Sequence, residues 1–173
     1  NTMGKTEWFD PNKPATTYCN PINIGYNYTT HNHNGISDSR RSSADPVIIN
    51  YKGDYYLFAT NQAGFFWSKD MSDWNFVYGS FQRKPGDDDQ CAPAAWVVND
   101  TLFYVGSTWK KDHPVWKTAD PKSGRWLRHV DTAMLPTWDP AIFQDDDKKV
   151  YMYYGSSGKL PLVGTEVDYN TWL

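Results

Sequence analysis

Two aspartates stand in the same short context, each directly before a proline. Asp45 precedes Pro46 and the run Val47-Ile48-Ile49; Asp139 precedes Pro140 and Ala141-Ile142-Phe143. Midway between them Ala92 precedes Pro93 and Ala94-Ala95-Trp96-Val97-Val98. The three prolines are spaced by 47 residues (93 − 46 and 140 − 93). A fixed period of this size is the mark of a repeat architecture. Proline fixes its own φ and restrains the residue before it, so each carboxylate is held at a defined place at the head of its repeat. If the repeats are arranged about a common axis, Asp45 and Asp139 face a shared pocket. Two carboxyl groups across a pocket are the equipment for cleaving a glycosidic bond, where one activates water and another group protonates the leaving oxygen. Asp-Pro is also a common turn start, and Ala92 in the second repeat breaks the pattern at the position where a purely structural cap would recur.

The elements that must carry these residues are short and β-rich. After each apolar run comes a polar turn: Lys52-Gly53-Asp54, Asn99-Asp100, and Asp145-Asp146-Asp147. A second run, dense in aromatics, then closes on a small residue: Tyr55 to Thr60, Leu102 to Ser107, and Val150 to Ser156. Two such runs separated by Gly, Asn or Asp predict a hairpin. A third strand is expected over Trp67–Asp70, Trp116–Asp120 and Val163–Asp168, and a fourth holding Trp74, Trp126 or Trp172. Four antiparallel strands per repeat make the blade of a β-propeller. The fold class is therefore all-β, a propeller of four-stranded blades with about three blades in these residues. Blade one is expected over roughly 45–78, blade two over 91–131, and blade three from Asp139 onward. Residues 1–44 form an N-terminal arm, in which Cys19–Tyr28 reads as a ring-closing strand and His31–Ser43 as a polar loop at the mouth of the ring. Arg40 and Arg41 in that loop are candidate contacts for a hydroxyl-rich or anionic ligand. His31 and His33, two residues apart without nearby acids, read as exposed.

Composition narrows the partners. The 173 residues carry a net charge of −3 and include nine Trp and twelve Tyr. Aromatic excess suits propeller strands, and it suits sugars, whose flat faces stack on rings. No basic patch argues for nucleic acid, and no apolar run is long enough to span a membrane. Cys19 and Cys91 are the only cysteines; they make no metal-ligand pattern and read as buried thiols, with a disulfide between them as the other reading. The run Asp145–Asp147 occupies the place of the blade-one turn, so it reads as a hairpin turn and not as a calcium site. No metal site is expected.

The same residues resemble a known family. Ala44-Asp45-Pro46-Val47-Ile48 before Gly53-Asp54-Tyr55-Tyr56-Leu57, Phe66-Trp67-Ser68-Lys69-Asp70 with Trp74, Ala92-Pro93-Ala94, and Trp138-Asp139-Pro140-Ala141-Ile142-Phe143 are similar to segments of glycoside hydrolase family 43. The likeness covers about residues 44–173. It implies a five-bladed propeller, of which this chain holds the N-terminal portion, and an inverting glycosidase of arabinose-, xylose- or galactose-containing glycans. It implies that Asp45 is the general base and that Asp139 raises the pKa of the general acid and orients it. The acid itself, a glutamate in the family, has no counterpart here: the two glutamates are Glu7 and Glu166, and neither has the family's context. It is expected in the remainder of a longer polypeptide. Phe66 and Trp138 are the expected sugar platforms, ahead of Phe65, Trp96 and Trp109, which read as core. No cofactor is required; some members of the family hold a divalent ion such as calcium. The partner implied is an oligo- or polysaccharide, and the expected location is secreted or periplasmic. The competing readings are a non-catalytic carbohydrate-binding propeller or inactive fragment and, lower, a fructan hydrolase, whose N-terminal motif is missing.

Overall fold

The computed structural model of the chain describes residue 24, residues 43–60, 64–80, 91–107, 113–131, 138–155 and 161–172, and the backbone of 28–33 and 36–41. Three antiparallel sheets follow one another along the chain. The first holds β3 (Val47–Tyr51), β4 (Asp54–Phe58), β5 (Gly64–Ser68) and β6 (Asn75–Tyr78), after a separate hairpin of β1 (Tyr28–His33) and β2 (Ile36–Arg41). The second holds β7 (Cys91–Val98), β8 (Thr101–Ser107), β9 (Val115–Thr118) and β10 (Leu127–Val130). The third holds β11 (Ala141–Gln144), β12 (Val150–Tyr154) and β13 (Val163–Val167). In each sheet every strand pairs with its neighbour in sequence. The first strands stand side by side, with β7 packed between β3 and β11. This is the arrangement of three propeller blades around a common axis.

Strand alternation explains how one blade packs on two neighbours. Successive side chains of a strand point to opposite faces. On β7 and β8, Ala94, Trp96, Val98, Phe103 and Val105 face the third blade, where they meet Val150, Met152, Tyr154, Val167 and Trp172. The intervening residues Ala95, Leu102 and Tyr104 face the first blade and meet Tyr51, Tyr56, Phe58 and Phe65. Trp126 joins this second cluster edge-on to both Phe58 and Phe65. The middle blade is thus apolar on both faces, which is what a blade with two neighbours needs.

Polar locks hold the interface between the first two blades. The Tyr51 hydroxyl donates to the Asp100 carbonyl at 2.6 Å. Asp54, only 6% exposed, accepts from Lys69 of its own blade and from Lys122 of the next, at 2.6 and 2.5 Å. The bond from Lys122, with that from Lys69, holds the Asp54 carboxyl below the ordinary aspartate range. Lys122 also lies over the Trp67 ring at 3.8 Å. Ser80 donates its N–H to the Gly124 carbonyl, and its Oγ accepts from the Trp126 N–H. Gly124 has φ +70°, and a Cβ there would lie 2.4 Å from the Tyr78 carbonyl oxygen, so glycine is needed twice over.

Three expectations are corrected. The segment His31–Ser43 is not a plain loop: residues 28–33 and 36–41 pair in register, Tyr28 opposite Arg41 and His33 opposite Ile36. Main-chain pairing between polar residues produces this hairpin, without the apolar alternation that would announce it. The tryptophans do not lie on fourth strands. Trp74 and Trp126 each stand one residue before theirs. Trp172 caps a turn after β13, its N–H donating to the Asp168 carbonyl, with its ring packed on Trp96 at 4.7 Å. The third blade accordingly has three strands among the described residues. Cys19 and Trp109 lie outside those residues, as does most of the expected ring-closing strand.

Candidate active site

Asp45, Ala92 and Asp139 adopt one backbone conformation, with φ of 48°, 40° and 48°. The following proline disfavours the right-handed helical region, and the left-handed region lets the chain turn sharply into the first strand of each blade. Aspartate is among the residues that tolerate this region best, whereas alanine has no side chain to compensate for it. In β7 the turn is accommodated by a shift of register between Cys91 and Ala94, across Ala92 and the N–H-less Pro93.

These three corners converge. A cleft of about 450 Å3 is lined by Asp45-Pro46-Val47, Ala92 to Ala95 and Asp139 to Ile142, within the roughly 300–1,000 Å3 usual for small-ligand sites. It lies where β3, β7 and β11 begin, at the opposite end of these strands from the Asp54 lock. Both carboxylates are solvent-exposed. The cleft therefore presents two acids from blades one and three, with a methyl group between them from blade two.

Hydroxyl groups at the ends of the second strands hold the corners in place. The Thr60 hydroxyl accepts from the Ala92 N–H at 2.9 Å, and the Ser107 hydroxyl accepts from the Asp139 N–H at 2.8 Å. Each bond spans 32 residues and ties one blade to the head of the next. Thr60 also donates to Asp45 Oδ2 at 3.2 Å, while its backbone is paired with Ser43 and Ala44. In the sequence Thr60 and Ser107 read only as small residues that close a strand, and their recurrence one repeat apart is the one signal of this role.

The remaining candidates are distributed differently. Phe66 is a correction as to place: it is 2% exposed, sits on β5 against Phe76 at 5.1 Å, and does not line the cleft. The third strand of a blade is too far from the axis to present a platform there. Phe65 and Trp96 are core residues, as expected. Trp138 is half-buried directly before Asp139, and its carbonyl accepts the Gly155 N–H. Arg40 and Arg41 lie on β2, where only backbone is described. Asp145–Asp147 form the hairpin turn between β11 and β12, with the Asp145 and Asp147 carboxylates accepting the N–H groups of Asp146 and Lys149. Glu166 is on β13, paired with Lys149 at 2.9 Å and away from the cleft. Among the described residues, no three His, Cys, Asp or Glu side chains are grouped to hold a metal ion, and no helix is long and apolar enough to cross a membrane.

Comparison with known families decides the ancestry. The model of glycosyl hydrolases family 43 matches residues 39–171. The chain belongs to glycosyl hydrolase family 43. Solved structures agree on the fold. Bacteroides ovatus Xyloglucan PUL GH43B superposes with a TM-score of 0.62 at 19% identity, over 75% of this chain and 29% of its own. A thermostable family-43 glycoside hydrolase gives 0.61 at 19% identity, over 91% and 53%. The family 43 endo-arabinanase from Bacillus licheniformis gives 0.60 at 19% identity, over 86% and 56%. The chain thus spans about a third to a little over half of these relatives. No curated protein sequence matches it. The matched region takes in all three blades and both aspartates of the cleft.

Proposed function

We propose that the intact protein is an inverting glycoside hydrolase acting on arabinose-, xylose- or galactose-type linkages of plant-type polysaccharides. The observation that carries this reading is the pair of repeat-equivalent carboxylates, Asp45 and Asp139, on one cleft of a family 43 chain. Asp45 takes a proton from water as the water oxygen bonds to the anomeric carbon. The glycosidic C–O bond breaks at the same time, and a carboxylic acid protonates the departing oxygen. In inverting enzymes base and acid stand roughly 6.5–9.5 Å apart to admit that water. Asp139, as a nearby negative charge, favours the protonated form of the acid and orients it. Glu166 is committed to Lys149 on β13, so the acid is contributed by another group, in our reading from a further part of the polypeptide. The two carboxyl groups need no cofactor. An oligo- or polysaccharide substrate outside the cell fits a secreted or periplasmic enzyme. The position of Glu166 off the cleft also favours the second reading, a carbohydrate-binding propeller without turnover.

The test is Asp45→Asn in the intact protein, assayed on aryl arabinofuranosides and xylosides and on arabinan, with the product anomer followed by NMR. The expected result is a fall in kcat of about 10²–10⁴-fold, the usual contribution of a general base, with sugar binding kept. Wild-type turnover in the variant would refute the assignment. Binding without turnover in the unaltered protein would establish the second reading.

A further inference from the structure

We propose that Thr60 is a positioning residue for the Asp45 carboxylate, and that its hydroxyl couples the aim of this group to the junction between blades one and two. The inference rests on the reading of Asp45 as general base. All four hydrogen-bonding groups of Thr60 are engaged. Its N–H donates to the Ala44 carbonyl at 2.9 Å, and its carbonyl accepts the Ser43 N–H at 3.0 Å. Its hydroxyl accepts the Ala92 N–H at 2.9 Å and donates to Asp45 Oδ2 at 3.2 Å.

The direction of the last bond is forced. A backbone N–H can only donate, so the Thr60 oxygen must accept from Ala92. That leaves the hydroxyl proton for another acceptor, and an ionised carboxylate only accepts. One oxygen of Asp45 is thereby tied down, and the other is left to meet water. Ser107 occupies the same place in the second blade, and its hydroxyl holds the Asp139 N–H in the same way. The head of its own blade, however, is Ala92, which has no carboxylate to receive a proton. The blade-to-blade tie therefore recurs at both sites, whereas the tie to a carboxylate exists only at Thr60. This difference separates a functional role from a structural one.

The experiment uses the intact protein with Thr60→Val, which keeps the shape and removes the hydroxyl, Thr60→Ser, which keeps the hydroxyl, and Asp45→Asn alone and combined with Thr60→Val. Steady-state kinetics on an aryl glycoside and thermal unfolding are measured for each. Thr60→Val is expected to lower kcat by about tenfold or more, the scale of losing a hydrogen bond to a charged group, with KM within about twofold. Thr60→Ser is expected to restore kcat to within about threefold. In the Asp45→Asn background, Thr60→Val is expected to change the residual rate less than twofold, because the group it positions is already gone. Should Thr60→Val unfold below the assay temperature, Thr60→Cys, whose thiol is a weak donor, is held to the same criterion. A kcat within twofold of wild type in the hydroxyl-free variant, while Asp45→Asn is inactive, would overturn the positioning role and leave the base assignment standing. An equal loss in the presence and absence of the Asp45 carboxylate would make Thr60 structural only. Full activity of Asp45→Asn would overturn the underlying reading and this inference with it.

Discussion

Phe58→Ala tests whether the blades are joined as the packing implies. Phe58 closes β4 with no exposed surface and lies two residues before Thr60. Its ring is 5.0 Å from Phe65 of its own blade, and 5.4 and 5.8 Å from Tyr104 and Trp126 of the next. Truncating a buried phenylalanine costs about 3–5 kcal/mol, through lost transfer energy and the cavity left behind. With three large rings as neighbours the site cannot close over the gap, so a value in the upper half of that range is expected. This is a large part of the roughly 5–15 kcal/mol that stabilises an ordinary domain. With a urea m-value at the top of the usual range of about 1–3 kcal/mol/M, the unfolding midpoint should fall by more than about 1 M. Tryptophan fluorescence reports the transition, since Trp126 is itself a contact. Leu127→Ala is the control: it is 69% exposed and should stay within about 0.5 kcal/mol. A loss below about 1 kcal/mol for Phe58→Ala, at unchanged m, would refute the view that this aromatic wedge joins blades one and two.

Two further outcomes follow from the polar locks. Asp54→Asn should lower the melting temperature at neutral pH, because Lys122 and Lys69 lose their shared carboxylate. The folded carboxyl titrates below its ordinary value of 3.8, so its contribution begins to fade as pH drops past that value and is gone once the folded group is protonated. Melting curves of variant and parent should therefore converge in acid, and a gap that persisted there would refute the ionic account. Gly124→Ala should cost about 2 kcal/mol or more, because alanine is strained at φ +70° and its Cβ would meet the Tyr78 carbonyl; circular dichroism melts measure this.

The blades were legible because their apolar runs, turns and prolines recur every 47 residues. The two aspartates were legible because the repeat placed them at equivalent positions. Other features left weaker traces. The hairpin of β1 and β2 carries Thr, His, Asn, Ser and Arg, residues shared with loops, and main-chain pairing leaves no imprint on hydropathy. Phe66 read as a platform although it is buried on β5 against Phe76, because an aromatic residue that packs between strands and one that meets a sugar look the same in sequence. Thr60 was hidden for a different reason. Its role depends on a carboxylate 15 residues before it and an N–H 32 residues after it, and neither separation matches the repeat. The left-handed turn at Ala92 runs against the preference of alanine, and proline alone does not announce it.

The order of strands within each sheet bears on how the chain reaches this state. Within each sheet every strand after the first pairs with its predecessor in sequence, across turns as short as Lys52-Gly53 and Asn99-Asp100. Each sheet can therefore zip up hairpin by hairpin as the ribosome releases it, with small loops to close and little entropy to overcome at each step. Contacts between sheets, such as Tyr51 to Asp100 and Thr60 to Ala92, become available only when the following sheet has emerged. Assembly in this order runs from the first sheet toward the third, and the cleft, which needs the heads of all three, cannot form before the start of β11 has emerged.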